Sequence, residues 1–461
     1  MIALEYCYVV DGVGNIRASS GERWIPTGKV LLDGVRKTTW LGPFDVSERD
    51  LLRVMAAILD ADRLSPRRAK RGPRAARDLC WQRTIRLTIA VENPSRWAAV
   101  HTQLSGLLNF MTDDDWELGF DSAPSPPVQP LLPHTELERS DEIALFSGGL
   151  DSVAGLYARS LAKGRTFVAV SACGNEVRGR AQAFALQGLR DVGVQAICLK
   201  LVHQLRATHR GRSLMESSQR SRGLLFLAMG AVTASRFAKD RFSVYETGIG
   251  CINLPMCRAQ VASQGTRAMH PRTLVLFDDL LRSVLDRPVQ TIAPFSLLTK
   301  GELCRLAGIE LPALARATMS CDEGEGHKPD ALRHCGVCTS CLFRRIAIFS
   351  AGHSDPTRYR DMIMRHHGRY EQLAFERHAD ELLACKSFGD LVAIDPNVRF
   401  ASRLPLEVPL APADAESEIL AVYRRYASEI MTFFDRARPS LAHPPPSPRK
   451  ENERDLFAAV G

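Results

Sequence analysis

Ile143-Ala144-Leu145-Phe146 runs directly into Ser147-Gly148-Gly149-Leu150-Asp151-Ser152, and then into Val153, Leu156, Tyr157 and Leu161, which are apolar at helical spacing. The order is strand, glycine turn, helix start. Two adjacent glycines let the backbone turn tightly and aim its N–H groups at one point, while the first unpaired N–H groups of the helix add partial positive charge. An oxyanion, most simply a phosphate, fits that cradle. Ser147 and Ser152 add hydroxyl donors, and Asp151 is placed to cap the helix and to hold a metal or orient a loop. A lone glycine pair would be read as a simple chain reversal; six residues in this order after a strand go further. The loop lacks a Gly-Lys-Ser/Thr ending, which disfavours γ-phosphoryl transfer.

The residues that follow repeat the pattern. Short aliphatic or β-branched runs predict strands at Ile143–Phe146, Thr166–Ser171, Gln195–Leu201, Phe242–Glu246 and Val289–Ala293. Amphipathic stretches between them predict helices at Asp151–Leu161, Ala181–Val192, Arg222–Ala238 and Pro271–Leu285. Alternation at this spacing implies an α/β fold with a doubly wound, parallel five-stranded sheet and helices on both faces. Ligands of such sheets lie beyond the strands' carboxyl ends.

Flanking regions differ in character. Residues 1–122 mix strand-like runs (Lys29–Leu32, Thr84–Val91) with helical stretches (Glu48–Ala61, Ser95–Met111), as in a small α+β domain. The Pro-rich stretch over 123–138 reads as a linker, because proline removes backbone donors and disfavours regular structure. After an α/β domain spanning 139–350, residues 351–437 read as a helical extension ending in one long helix, Glu416–Arg436, and 438–461 read as a disordered tail by composition. Trp81, Trp97, Trp116 and Phe120 are assigned to the first domain's core rather than to a base-stacking platform.

Of the 461 residues 45% are hydrophobic and 24% charged, which excludes a largely disordered or collagen-like chain. The net charge of +8 is local, since Arg63–Arg77 carries seven basic residues and no acid. That run is either a solvated loop or a phosphate-contacting one, and nucleic acid is not among the expected partners on the former reading. Met1–Val10 lacks a basic segment followed by an apolar one, and no apolar run approaches the roughly 20 residues of a membrane span, so a soluble cytoplasmic protein is expected.

Of twelve cysteines, eight are scattered and four fall within 21 residues: Cys321, then Cys335-Gly336-Val337-Cys338-Thr339-Ser340-Cys341. Four thiolates close a tetrahedral site, and two-residue spacings let a tight knuckle aim successive sulfurs at one ion. Structural Zn²⁺ is expected, with an iron–sulfur cluster as the alternative. His327 and His334 are nearby and are read as neighbours rather than ligands.

The string SGGLDS resembles the PP-loop of the ATP pyrophosphatases (SGGxDS), which grip the β,γ-phosphates of ATP and transfer AMP. Together with Thr318-Met319-Ser320-Cys321, the knuckle at 335–341, Pro294-Phe295 and Thr299-Lys300-Gly301-Glu302-Leu303, it resembles the 7-cyano-7-deazaguanine synthase (QueC) branch over roughly 140–350. The resemblance implies ATP and Mg²⁺ as cofactors, beside the Zn²⁺ site. It further implies ATP contacts from Phe146, Ser147, Gly148, Gly149, Leu150, Asp151 and Ser152, and catalytic work by Asp151, Ser147, Ser152, Lys300 and Arg222. The reaction implied is adenylation of the carboxylate of 7-carboxy-7-deazaguanine, followed by displacement of AMP by ammonia and, with a second ATP, dehydration of the amide to the nitrile. No nucleophilic side chain is needed for that, which agrees with the absence of a Ser/His/Asp or Cys/His pattern.

Three departures matter. The family's Asp-Tyr-Ser-Gly-Tyr-Pro-Asp-Cys-Arg-Pro-Glu-Phe type segment is replaced by Glu246-Thr247-Gly248-Ile249-Gly250-Cys251-Ile252-Asn253-Leu254-Pro255 and then Met269-His270-Pro271. The gap between the first two cysteines is longer, and both ends carry added regions. Asn253 and His270, in the region of that segment, are candidate substrate contacts, and so is Arg220, which with Arg222 opens a helix beyond the third strand. Long proteins of this kind resemble the QueC-like members of bacterial anti-phage systems (Qat and type IV CBASS), which implies joining of the deazaguanine carboxylate to an amine of a partner protein held by the terminal domains. The alternatives are the biosynthetic enzyme itself, a tRNA-modifying PP-loop enzyme using Cys251 or Cys257 as sulfur carriers, and a non-catalytic nucleotide sensor.

Overall fold

The computed structural model describes residues 4–11, 15–18, 25–26, 31–33, 44–67, 82–125, 139–161, 165–173, 176–203, 208–209, 212–213, 215–216, 218, 220–256, 266–322, 333–360 and 369–437. Trp81, Cys257, His327, most of the Arg63–Arg77 run, most of the 123–138 linker and the 438–461 tail lie outside the described residues.

The amino-terminal part contributes β1 (Leu4–Val10), β2 (Asn15–Ala18), β3 (Ile25–Pro26), β4 (Leu31–Asp33), α1 (Val46–Leu64), β5 (Arg83–Val91), α2 (Pro94–Ala99), α3 (His101–Thr112) and β6 (Asp115–Ser122). Asp45 and Glu48 form a reciprocal capping box at the start of α1, which fixes where that helix begins. The single helix expected over Ser95–Met111 is instead two, because Val100 adopts φ −109°, ψ 9° and breaks the run between α2 and α3. The strands form a sheet ordered β3-β2-β1-β5-β6, with β1, β5 and β6 parallel and β2 and β3 antiparallel.

The α/β part runs β7 (Glu142–Leu145), α4 (Leu150–Ser160), β8 (Thr166–Cys173), α5 (Glu176–Asp191), β9 (Gln195–Val202), a small hairpin β10 (Thr208–His209) and β11 (Arg212–Ser213), α6 (Arg222–Arg236), β12 (Arg241–Ser243), α7 (Gly248–Ile252), α8 (Pro271–Val284) and β13 (Gln290–Ile292). The expected parallel five-stranded sheet is present, ordered β13-β12-β7-β8-β9. Its order reverses between β7 and β12, so the crevice between the carboxyl ends of those two strands is the topological switch point. Alternate residues face opposite layers, as the two-residue period of a strand requires. Ile143, Leu145, Val168 and Val170 join the cluster containing α6 and α8, whereas Ala144, Phe146, Phe167 and Ala169 join the one containing α4 and α5.

Two additions sit at the edges of this sheet. β4, from the amino-terminal part, pairs antiparallel with β9 through Leu31–Val202, Leu32–Leu201 and Asp33–Lys200, making a sixth strand. The cluster that includes α6 and α8 continues into α1, α3 and β5, so the two sheets share one apolar core. Trp97 and Trp116 are buried in it, and Phe120 packs against it.

The remaining elements are α9 (Lys300–Leu306), α10 (Leu311–Arg316), β14 (Arg333–His334), α11 (Thr339–Ser350), β15 (Arg358–Tyr359), α12 (Arg369–Ala384), α13 (Phe388–Ile394) and α14 (Pro412–Ala437). A third apolar cluster joins α14 to α7, α11, α12 and α13. The chain before α14 returns to the α/β sheet, where Ala293 N donates to Pro405 O at 2.8 Å and Glu407 makes a two-pronged ion pair with Arg159.

Candidate active site and metal centre

The glycine turn follows β7 directly into the switch point. Phe146 is buried and continues the sheet, donating its N–H to Val170 O at 2.7 Å and accepting from Ser171 Oγ at 2.6 Å. Gly148 has φ +76°, and a Cβ there would stand 3.0 Å from Gln182 Cα, so both conformation and space demand glycine. Gly149 is the N-cap of α4 and supplies no side chain to its first turn, and Leu150 anchors that turn in the core. The N–H groups at this helix start are thus left for a ligand. The two serines brace the turn: Ser147 Oγ accepts from Gly149 N at 3.2 Å, Ser152 Oγ donates to Gly149 O at 3.0 Å, and the two hydroxyls lie 3.2 Å apart.

Three strands send charge to the same place. Asp151 stands in the first turn of α4 after β7, Glu246 follows β12, and Lys300 opens α9 after β13. The Lys300 ammonium donates to Asp151 Oδ2, and Glu246 shares a hydrogen bond with Asp151. Burial, followed by the neighbouring Asp151 charge, holds the Glu246 carboxyl well above the ordinary range. Burial also pulls Lys300 down, but Asp151 and Glu246 more than reverse this, so its pKa stands above the usual lysine value. Two carboxylates and one ammonium beside an anion cradle can hold a divalent cation and neutralise phosphate charge.

The other sequence candidates have these surroundings. Arg222 is exposed at the start of α6, on the carboxyl-end side of the sheet. Arg220 is buried, where its guanidinium donates to Thr112 O at 3.1 Å and Asp113 Oδ2 at 2.9 Å. His270 is the buried N-cap of α8; Nδ1 accepts from Arg272 N at 3.1 Å and the ring meets Phe110 edge-on. Burial, reinforced by Arg267 and Arg272, lowers its pKa to about 3, so it is neutral. Asn253 terminates α7 in a left-handed conformation and donates to Thr266 O at 3.2 Å. Arg220 and His270 are thus held by the amino-terminal part through Thr112, Asp113 and Phe110, and Asn253 is held by Thr266. Arg67, from the basic run, is likewise buried in a two-pronged ion pair with Asp114 at 2.7 and 2.8 Å.

The four cysteine sulfurs of Cys321, Cys335, Cys338 and Cys341 lie within 4.8 Å of one another. Cys335 Sγ and Cys341 Sγ are 3.8 Å apart, the edge length of a tetrahedron with Zn–S bonds of about 2.3 Å. Backbone N–H groups point at the sulfurs: Cys335 N at Cys321 Sγ (3.3 Å), and Val337 N and Cys338 N at Cys335 Sγ (3.5 and 3.3 Å). Such donors stabilise thiolate charge, and Gly336 at φ +91° makes the knuckle possible. The donor set and geometry fit Zn²⁺. His334 Nε2 accepts from Ser320 N at 3.1 Å and so supports the segment before Cys321.

That segment links metal centre to glycine turn. Met319 N donates to Gly148 O at 3.4 Å, and Arg344 of α11, fully buried, donates to Thr318 Oγ1 (2.7 Å), Ser320 Oγ (3.3 Å), Thr357 Oγ1 (2.8 Å) and Ala315 O. Glu246 and Arg344 escaped sequence reasoning. The signal for Glu246 was its position at a strand end beside the switch point; Arg344 has no local signal, because its partners are distant in sequence.

The family model described as "Queuosine biosynthesis protein QueC" matches residues 141–352. The α/β part of this chain is similar to that family over a little under half of the chain. Curated 7-cyano-7-deazaguanine synthases are similar to it: that of Cupriavidus taiwanensis is 46% identical over 67 residues, 14% of this chain and 27% of that protein. That of Methanothermobacter thermautotrophicus is 41% identical over 73 residues (16% and 30%), and that of Acinetobacter baylyi 27% identical over 139 residues (30% and 56%). The chain thus spans about a quarter of the length of the first of these relatives. The matched QueC-like region contains the glycine turn, Glu246, Lys300 and all four cysteines; the first 140 residues and those after 352 lie outside it. Among the described residues no helix is long and apolar enough to cross a membrane.

Proposed function

We propose that the protein transfers AMP from ATP to the carboxylate of a deazaguanine, 7-carboxy-7-deazaguanine, and that an amine then takes the place of AMP. In the first step a carboxylate oxygen attacks the α-phosphorus and the bond to the β-phosphate oxygen breaks, releasing pyrophosphate. In the second the amine lone pair attacks the acyl carbon, AMP leaves with its oxygen, and the amine proton passes to solvent. The convergence of Asp151, Glu246 and Lys300 beside the glycine turn carries this reading. Amides of the turn and the start of α4 hold phosphate oxygens, Lys300 offsets their charge, and Ser147 and Ser152 keep the turn in shape. Asp151 and Glu246 are the residues that would hold Mg²⁺, which supplies further neutralisation of the departing pyrophosphate.

The finer form of the proposal is that the amine belongs to a partner protein, bound through residues 1–122 and 351–437, in cytoplasmic anti-phage defence. It is supported by the large regions outside the matched 141–352 and by the replaced segment at 246–255. The biosynthetic route to the free nitrile is the alternative. Sulfur transfer to tRNA through Cys251 is disfavoured, because the thiol is buried and burial, then Glu246 and Asp151, push its pKa far up.

Purified protein incubated with ATP, Mg²⁺ and 7-carboxy-7-deazaguanine should release AMP rather than ADP. Mass spectrometry of the deazaguanine, with and without a candidate partner, separates the forms. A partner that gains mass establishes conjugation, and free nitrile alone overturns it.

A further inference from the structure

A depression of ≈ 750 Å³ lies between α9, the end of α11 and α14, with no residue of the glycine turn in its lining. Among the described residues, its walls carry Arg305, Arg424, Arg425 and Arg436 against two acids, Glu302 and Glu429. Burial raises the Glu429 pKa to about 7, so near neutrality even this acid is not fully charged. The arginines are held open by the fold: Arg305 donates to Ser350 O at 2.9 Å, Arg424 to Cys385 O at 2.7 and 3.2 Å, and Arg425 to Leu297 O at 3.1 Å. A guanidinium has five donors in a planar fork, so each retains N–H groups for an oxyanion. The Arg436 guanidinium lies 5.7 Å from the centre of the Phe349 ring, an apolar surface in the same wall. The volume suits a nucleotide-sized ligand rather than a bare ion.

Both acids of this depression are bonded to Thr299, the residue immediately before Lys300. Thr299 Oγ1 donates to Glu429 Oε1 at 2.6 Å, and Glu302 Oε2 accepts from Thr299 N at 2.8 Å while Glu302 Oε1 pairs with Arg425 at 2.7 Å. We propose that this depression is a second site, for a phosphorylated small molecule of nucleotide size, and that its occupation acts on Lys300 through Thr299. A ligand phosphate that engages Arg425 competes with Glu302 for it, and Glu302 completes the capping box with Thr299, the N-cap of α9. Residues of α14 supply three of the four arginines, so the site belongs to the region after the QueC-like match and does not depend on which substrate the catalytic centre uses.

Calorimetric titration of the full chain with AMP should give two binding events. Arg305→Glu/Arg436→Glu should weaken one at least tenfold while the other is kept, and Gly148→Ala should show the converse. A single event, lost in Gly148→Ala and unchanged in the double variant, overturns the proposal. Inorganic phosphate should displace AMP from the event that survives in Gly148→Ala; its failure to do so overturns recognition of phosphate there. Because Arg305→Glu could disturb α9, Arg436→Glu alone, on an exposed side chain, should give the same loss with an unchanged melting temperature. The action on Lys300 is read separately: AMP should alter the KM for ATP of the wild type at concentrations that leave Arg436→Glu unaffected, and equal responses overturn the coupling.

Discussion

Lys300, the first residue of α9, is ion-paired with Asp151, the second residue of α4, across 149 positions of sequence. The pair closes the switch point: it ties the helix after the fifth parallel strand to the helix after the first, with Glu246 between them. Removing the ammonium leaves two adjacent carboxylates without a cation. Lys300→Met should therefore lower ATP-dependent AMP release by about 100-fold or more, the scale of losing one preorganised charge at a developing anion. Rates measured at several Mg²⁺ concentrations, alongside the melting temperature, check this; wild-type turnover would remove Lys300 from the chemistry.

Gly148→Ala should abolish AMP release while leaving secondary structure unchanged by circular dichroism. The added methyl meets the backbone of α5 at Gln182, 3.0 Å away, and a positive φ is strained for alanine. The turn then has to move, and with it the amides that point at the ligand.

The four-cysteine centre should contain about one zinc per chain by elemental analysis, as a closed four-thiolate shell implies. Cys338→Ser should lose that metal and lower the melting temperature. It should also impair ATP turnover, because the segment anchored by Cys321 contacts Gly148 through Met319. Loss of zinc with turnover intact would show that this contact is dispensable.

Arg344→Met should destabilise the protein by roughly 2–4 kcal/mol, since it leaves Thr318, Thr357 and Ala315 O without their buried donor. Urea unfolding midpoints measure the loss. Arg344→Lys should recover only part of it, because one ammonium cannot reach partners arranged for a planar fork.

Asp278 of α8 accepts from Thr291 N at 3.0 Å and Thr291 Oγ1 at 2.8 Å, yet burial raises its pKa to about 7. Between the ordinary carboxylate range and that value the folded state holds a proton that the unfolded state has lost. Stability therefore falls as pH rises through the window, by up to about 1.4 kcal/mol per pH unit from this group. Asp278→Asn should remove that contribution, so the difference in unfolding free energy between variant and wild type should grow from pH ~4 to pH ~7 and then level off. A difference independent of pH would refute the assignment.

Features written in contiguous residues were legible before the fold was known. Ser147–Ser152 states its turn through two glycines, and the cysteine knuckle states its metal through spacing. The five parallel strands follow from alternating short apolar runs, and their bounds agree with the structure to within a few residues. What escaped depends on distant partners. Glu246 gains meaning only when β12 is placed beside β7, and Arg344 only when α11 meets the segment before Cys321. Arg220 and His270 stand out in sequence as polar residues near a replaced segment, but their contacts with Thr112, Asp113 and Phe110, all from the amino-terminal part, have no local signal. The break at Val100 has no proline or glycine to announce it.

The pairing of β4 with β9 sets an order on biosynthesis. Leu31 leaves the ribosome about 170 residues before its partner Val202, an interval of roughly 10–30 s at 5–20 residues per second. Through that interval the strand's amides have no ladder to join, and a segment waiting in that state is where a nascent chain is open to chaperones and to wrong pairing.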